Sequence, residues 1–213
     1  MYKIVAVSFL LLFAFTNSQA NDWKLSTDKS GIKVYTRVVP GSKVKAVKVE
    51  SDFKATASQF VAVLLDVKNS VDWVYRTKSC LLIKQVSPSE LYYYSEISVP
   101  WPVENRDFVA RIAVSQDPET KVVTVDAPSV PGFVALKKAV VRISDSKGKW
   151  IITPTSNQTI RVEYTLQVDP GGAIPAWLVN MFAAEGPTQS FKLLKLQLQK
   201  EQYKNVSLPF IRN

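Results

Sequence analysis

An α+β protein, built on an antiparallel sheet and closed by one long C-terminal helix, is what three features of this chain predict. Strand-length segments follow one another from residue 32 to residue 169, punctuated by Pro, Gly, Asn and Ser turn signals. Two short helical segments interrupt them between Thr56 and Val74. The last segment, from Pro175 to about Tyr203, switches to helical spacing. Strand runs followed by a helix belong to α+β architecture rather than to alternating α/β folds.

The chain opens with MYKIVAVSFLLLFAFTNSQA, which has a cation at Lys3, an apolar run from Ile4 to Phe15, and the small residues Ser18 and Ala20 before a cleavage point. That is the pattern of a secretory signal peptide over residues 1–20, and its apolar run is short of the roughly 20 residues that a spanning helix needs. Cleavage leaves 193 of 213 residues with a net charge of +8 instead of +9. One domain over residues 21–205, followed by a short tail at 206–213, fits this length. Export predicts a periplasmic or secreted protein. The sequons at Asn157 and Asn205 leave open a bacterial or a eukaryotic route.

Histidine is absent and Cys80 is the single cysteine. The commonest general base and the commonest transition-metal ligand are therefore missing, and no zinc set, Ser-His or Cys-His pair can form. Neither a Walker A loop nor a GxGxxG turn is present. No metal or cofactor is expected. Cys80 opens the apolar run Cys80, Leu81, Leu82, Ile83 and reads as a buried, inert thiol.

Taken in order, Asp22 to Leu25 reads as a short starting turn. Residues 32–39 and 43–53 form a hairpin around Pro40-Gly41, with a break in alternation at Ala46-Val47 that predicts a bulge. Thr56 caps a helix carrying Phe60, Val63, Leu64 and Val67 at helical spacing, and a second short helix or turn spans Asn69 to Val74. Strands follow near 77–86, 90–98, 106–115, 121–126, 134–144, 149–155 and 159–169. In the last of these, Ile160, Val162, Tyr164, Leu166 and Val168 share one face while polar residues share the other, as in a half-buried antiparallel strand.

Between two of these strands, SVPWPVEN at 98–105 carries Pro100 and Pro102, which keep it out of a sheet interior and make it a rim loop. Trp101 at its tip either packs on its own domain or meets a ligand or membrane. After the Asp169-Pro170-Gly171-Gly172 turn, Pro175 suits a first helical position. Trp177, Met181, Ala184, Phe191, Leu194 and Leu198 form one stripe of the helix, with Thr188, Lys192, Lys195 and Gln199 on another. Gly186-Pro187 predicts a kink or break near Ala183.

Four places together resemble the START (steroidogenic acute regulatory protein-related lipid transfer) domains over nearly all of residues 22–204. These are Trp23 with Gly31-Ile32-Lys33-Val34-Tyr35, the stretch from Leu65-Asp66 to Trp73, Arg106-Asp107-Phe108-Val109, and DPGGAIPAWLVNMF at 169–182. The resemblance implies a helix-grip fold, in which a curved antiparallel sheet wraps the C-terminal helix around a hydrophobic tunnel for one lipid. It also implies entry between the loop at 98–105 and that helix.

A tunnel persists where facing side chains are too small to fill it. Val109, Ala113 and Ser115 suggest such a face on the 106–115 strand, shared with Arg111, leaving Phe108, Ala110, Ile112 and Val114 on the other. The family likeness places an arginine inside the tunnel at the position of Arg111, with Glu96 as the nearest matching acid; together they would orient a lipid headgroup. Alternatively Arg111 forms a purely internal ion pair or faces solvent. The expected ligand-contact set is Arg111, Glu96, Val109, Ala113, Trp101, Trp177, Met181 and Phe191. Arg106 and Asp107 read as structural, fixing a loop.

Function then reads as non-enzymatic binding or transfer of one lipid or sterol-like molecule by a monomer that meets membranes transiently. Lys43, Lys45, Lys48, Lys192, Lys195 and Lys200 either help docking on an anionic membrane or are ordinary solvated residues. No nucleic-acid motif is present. A polyketide cyclase or aromatase-like enzyme using the same cavity is the alternative, and an envelope interaction protein with a collapsed tunnel is a third class.

Overall fold

A computed structural model describes residues 23–213 apart from 43 and 157, so the expected signal peptide lies outside the described residues. The strands β1 (Lys24–Lys29), β2 (Ile32–Arg37) and β3 (Ala46–Phe53) lead into helix α1 (Ala57–Leu65) and a 3₁₀ turn at Val67–Asp72. Next come β4 (Thr77–Ser87), β5 (Glu90–Ile97), β6 (Asn105–Gln116), β7 (Val123–Pro128), β8 (Val140–Arg142), β9 (Asp145–Ser156) and β10 (Thr159–Asp169). Helix α2 (Ala176–Gln197) and a 3₁₀ turn at Glu201–Tyr203 complete the order.

These strands make one sheet in the order β1-β2-β3-β10-β9-β7-β6-β5-β4, with β8 joined to the start of β6. Only the β6–β8 pair is parallel; its register sets Arg106 against Val141. The sheet, few helices and C-terminal helix make up the helix-grip architecture. β10, the strand with the cleanest alternation, sits between β3 and β9 and so joins the two ends of the chain.

Helix α1 starts where a capping box allows it. The Thr56 hydroxyl accepts from the Gln59 backbone N–H at 3.2 Å, and the Gln59 side-chain Oε1 accepts from the Thr56 N–H at 2.8 Å. Helix α2 runs without a break through Pro187, which excludes the break but not the kink among the two outcomes expected near Ala183, and ends at Gln197 rather than Tyr203. Tertiary contacts hold it on both sides of the proline: Leu178 and Val179 are buried before it, Phe191, Leu194 and Leu198 after it. That burial outweighs the roughly 3 kcal/mol a helix-interior proline costs. Gly186 has its own reason, because a Cβ there would come within 3.3 Å of the Tyr75 ring. The Tyr75 N–H donates to Ser190 Oγ at 2.9 Å, docking the same turn of helix.

The core is aromatic where the helices meet the sheet. Trp150 on β9 stacks on Phe191 of α2 at 5.7 Å and on Tyr164 of β10 at 4.1 Å, and meets Phe60 of α1 edge-on at 5.8 Å. Phe53 joins the cluster through Phe60 at 5.0 Å. The C-terminal residues 206–213, expected as a tail, fold back on this core. Ile211 is buried, Asn213 accepts from the Ser58 N–H at 2.9 Å, and Gln116 exchanges two 2.8 Å bonds with the Arg212 backbone.

Elsewhere the local expectations shift. The start is strand β1 rather than a turn, paired to β2. Ala46-Val47 holds no bulge, because β3 keeps a continuous register against both β2 and β10. Of the expected 134–144 strand only β8 forms, since residues 133–137 instead strap the outer face of β5. Phe133 stacks on Tyr92 at 4.5 Å, Lys137 bonds Glu96 at 3.1 Å, and Arg142 grips Asp107 with two bonds of 2.6 and 3.0 Å.

Two outcomes follow from this packing. Phe191→Ala should lower stability by about 3–5 kcal/mol in urea unfolding, the loss expected for a buried aromatic at the contact of helix and sheet. Glu96, bonded by Lys78, Lys137 and Asn105, is held down at about 2 from an ordinary 4.5, chiefly by the Lys78 hydrogen bond. Its folded pKa lies below the unfolded one, so its contribution is complete above about 4.5 and fades as pH falls towards about 2. Thermal melts across that window should show a shallower loss in Glu96→Gln than in the parent.

Candidate functional site

Between α2 and the inner face of the sheet lies a cavity of about 330 Å³. Its walls follow from strand alternation. Tyr164, Leu166 and Val168 of β10 line it, as do Tyr93, Ser95 and Ile97 of β5, Arg106, Phe108 and Ile112 of β6, and Val125 and Ala127 of β7. Trp150 contributes from β9, Trp73 and Val67 from the segment after α1, and Val179, Ala183 and Phe191 from α2. The aromatic cluster around Trp150 and Phe60 closes one end. At the other, register sets Leu166 against Val47, Val168 against Ser146, and Arg106 against Ile97. Lys45, Val99, Pro170 and Ile174 continue the wall there, and the exposed Lys45 marks the side that opens to solvent.

Few polar groups interrupt this lining. Tyr93 and Tyr164 keep their phenols well above the usual tyrosine range because burial disfavours the charged form. Burial likewise pushes the Cys80 thiol up to about 11, against weaker hydrogen bonds from Ser70 and Ser95. The Trp73 indole N–H and the Thr77 hydroxyl are buried with no hydrogen-bond partner among the described residues. Lining charges among the described residues are Arg106 and Lys45; no Asp or Glu contributes.

The expected contact set divides. Phe191 lines the cavity. Trp177 and Met181 have side chains outside the described residues. Arg111, Val109 and Ala113 are on the other face of β6: the lining face is the 106, 108, 112 set, one residue out of step with the expectation. Small side chains misled here, because the space arises from sheet and helix diverging, with Phe108 and Ile112 on the wall. Val109 is buried all the same, in the stretch of β6 where its carbonyl accepts from Val130 N–H at 2.8 Å.

Arg111 and Glu96 do not meet. Arg111 stands opposite Tyr92 and bonds Glu90 at 2.7 Å in a half-exposed pair, whereas Glu96 stands opposite Asp107 under the strap. Trp101 is 92% exposed at the tip of the rim loop and lines nothing. That loop is pinned at its base, where Asn105 accepts from the Val99 N–H at 3.1 Å and donates to Glu96 at 3.2 Å. The lysines are not gathered into one patch either. Lys48 pairs with Glu50 and Glu163, Lys200 with Asp72, and Lys195 with the Ser30 carbonyl; Lys43 lies outside the described residues.

Sequence reasoning missed Tyr93, Trp73, Trp150 and Arg106 as wall residues. The signal for Trp150 and Arg106 was parity: Trp150 alternates onto one face of its strand with Ile152, and Arg106 onto one face of its strand with Phe108 and Ile112. Cys80 gives a direct check of the enclosed wall. With its thiol near 11, it should resist an aromatic disulfide reagent at about pH 8 in the native protein and react at once in denaturant.

Comparison with known proteins adds three findings. The sequence model described as START domain matches residues 11–202. An uncharacterised protein of Pseudomonas aeruginosa is 33% identical over 86% of this chain and 90% of its own length, and the phosphatidylcholine transfer protein of Mus musculus is 30% identical over 78% of each. The crystal structure of a STAR-related lipid transfer protein fragment from Xanthomonas axonopodis superposes with a TM-score of 0.77 at 35% identity, covering 84% of this chain and 99% of the other. Human STARD10, at 20% identity and a TM-score of 0.72, shares the fold.

Proposed function

The chain belongs to the START domain family, and from that membership and the cavity we propose that it binds one lipid between α2 and the sheet and exchanges it with membranes. The observation that carries the proposal is the cavity of about 330 Å³, open at one end and lined chiefly by aromatic and aliphatic side chains. Transferring apolar surface into such a space is favourable by about 25 cal/mol per Å², enough to hold an acyl chain without chemistry. The lipid-transfer names of the similar proteins support a lipid as guest.

Action without catalysis is part of the proposal. Among the described residues the wall brings no carboxylate, and the chain has no histidine, so the commonest proton-moving groups are missing from the cavity, which supports binding without chemistry over a cyclase-like reaction that would have to rest on Tyr93, Tyr164 or Arg106. The open end beside Lys45, Val99 and Ile174 is the proposed portal. Trp101, fully displayed on the loop that follows Val99, suits the water–hydrocarbon boundary, where an indole buries its ring and keeps its N–H wet. The mature protein would work as an exported monomer; Lys3, the run Ile4 to Phe15 and Ala20 support export.

Native mass spectrometry after incubation with mixed-lipid vesicles tests this. The parent protein should acquire one lipid per chain, and Ala127→Trp, which fills the cavity from β7, should acquire none while keeping its circular dichroism. Trp101→Ala should slow vesicle-to-protein transfer severalfold with unchanged final occupancy. A parent protein that stays empty would overturn the proposal.

A further inference from the structure

Among the described residues Arg106 is the one cation buried on the cavity wall: it is 3% exposed, and it lies on the same face of β6 as Phe108 and Ile112. Buried arginines are ordinarily matched by a carboxylate. This one is not. Its Nε donates to the Pro170 carbonyl at 3.4 Å, one terminal nitrogen donates to the Gly171 carbonyl at 3.2 Å, and the other to the Glu104 carbonyl. All three acceptors are backbone dipoles, and no carboxylate lies within ion-pair distance of the guanidinium among the described residues. Glu104 acts on it only from an exposed position.

The neighbouring acids are committed elsewhere. Asp107 points to the opposite face and is held by Arg142, Glu96 by Lys78 and Lys137, and Asp169 accepts from the Gly171 N–H at 2.9 Å. Strand alternation has put the acids of this region outside and left the cation inside. Lys45, the second lining charge among the described residues, stands at the same end and is also positive. Each terminal nitrogen of a guanidinium carries two N–H groups, so each keeps one after the carbonyl bonds are made, enough for a two-pronged contact with an oxyacid.

We propose that the guest is an anionic amphiphile whose carboxylate or phosphate head sits on Arg106 at the open end of the cavity, with its apolar chain running towards Trp150 and Phe191. This rests on the lipid-binding reading and adds to it the charge and the orientation of the ligand. Burial lowers the Arg106 pKa, the direction in which an anionic ligand head beside it would be favoured.

The test uses the full mature protein and matched pairs of single-chain probes: hexadecanoate against hexadecan-1-ol, and lysophosphatidic acid against the corresponding monoacylglycerol. Calorimetric titration should favour the charged member of at least one pair by about tenfold or more, and whichever pair shows it identifies carboxylate or phosphate as the preferred head. The Arg106 Nε–H resonance should shift with the charged probe and stay in place with the neutral one. Arg106→Gln should bring the preference towards unity and Arg106→Lys should keep part of it. Because Arg106 also ties down the 170–171 turn, the parent protein's preference and its Arg106 resonance decide the matter if a variant unfolds. Equal affinity for charged and neutral probes overturns this inference and leaves lipid binding intact. Preference without an Arg106 shift assigns the head to another group and overturns it too, while failure of all four probes to bind likewise overturns this inference, the lipid-binding reading itself being decided by the mixed-lipid vesicle experiment.

Discussion

The stack of Trp150 on Phe191 is the contact on which the architecture turns, because it joins α2 to the centre of the sheet where the cavity begins. On one side of it the molecule is solid: Phe53, Phe60, Ile160 and the returning Ile211 fill the space under α1. On the other side Val179, Ala183 and Gly186 of the same helix line the cavity. The two rings are therefore core residues on one face and cavity wall on the other. Holding the helix at this point helps keep the cavity beside it open, since rigid aromatic surfaces cannot rearrange to fill a void as flexible aliphatic chains can.

Around that void, charge is sorted by the pleat. Consecutive residues of β5 and β6 face opposite ways, so Glu96 and Asp107 go outward to the strap while Ser95 and Arg106 go inward. The outward acids then do structural work. Asp107 and Glu96 fix residues 133–142 and the base of the Trp101 loop through Arg142, Lys137 and Asn105. A rim loop whose base is held by a buried carboxylate can present its tip to a membrane without loosening the sheet behind it.

Much of this was legible in the sequence, and the failures have physical causes. Period-two alternation placed Tyr164, Leu166 and Val168 on one face of β10, and helical spacing placed Phe191, Leu194 and Leu198 on one side of α2; both are buried as patterned or line the cavity. The capping residue Thr56 was readable because an N-cap is a local interaction. What failed was parity on β6. Both of its faces are covered, one by the cavity wall and one by the strap, so Val109 is as buried as Ala110 and composition does not distinguish them. At Pro187 the expected break does not occur, for the opposite reason: a strong local signal is overridden by packing at both ends of the helix.

The parity error also moved the charge. Placing Arg111 inside paired it with Glu96, so that an internally balanced pair would orient the ligand head. With Arg106 inside, the local wall carries a cation and its nearest acids are on the far side of the sheet. A buried charge satisfied only by backbone carbonyls is stable when those carbonyls come from a rigid turn, and Gly171 and Gly172, at φ of 65° and 62°, form one that few other residues could adopt. That turn leads directly into α2. The group that would hold a ligand head is thus bonded to the segment that starts the helix over the cavity, so occupancy at Arg106 and the position of the first turn of α2 are tied through the same guanidinium.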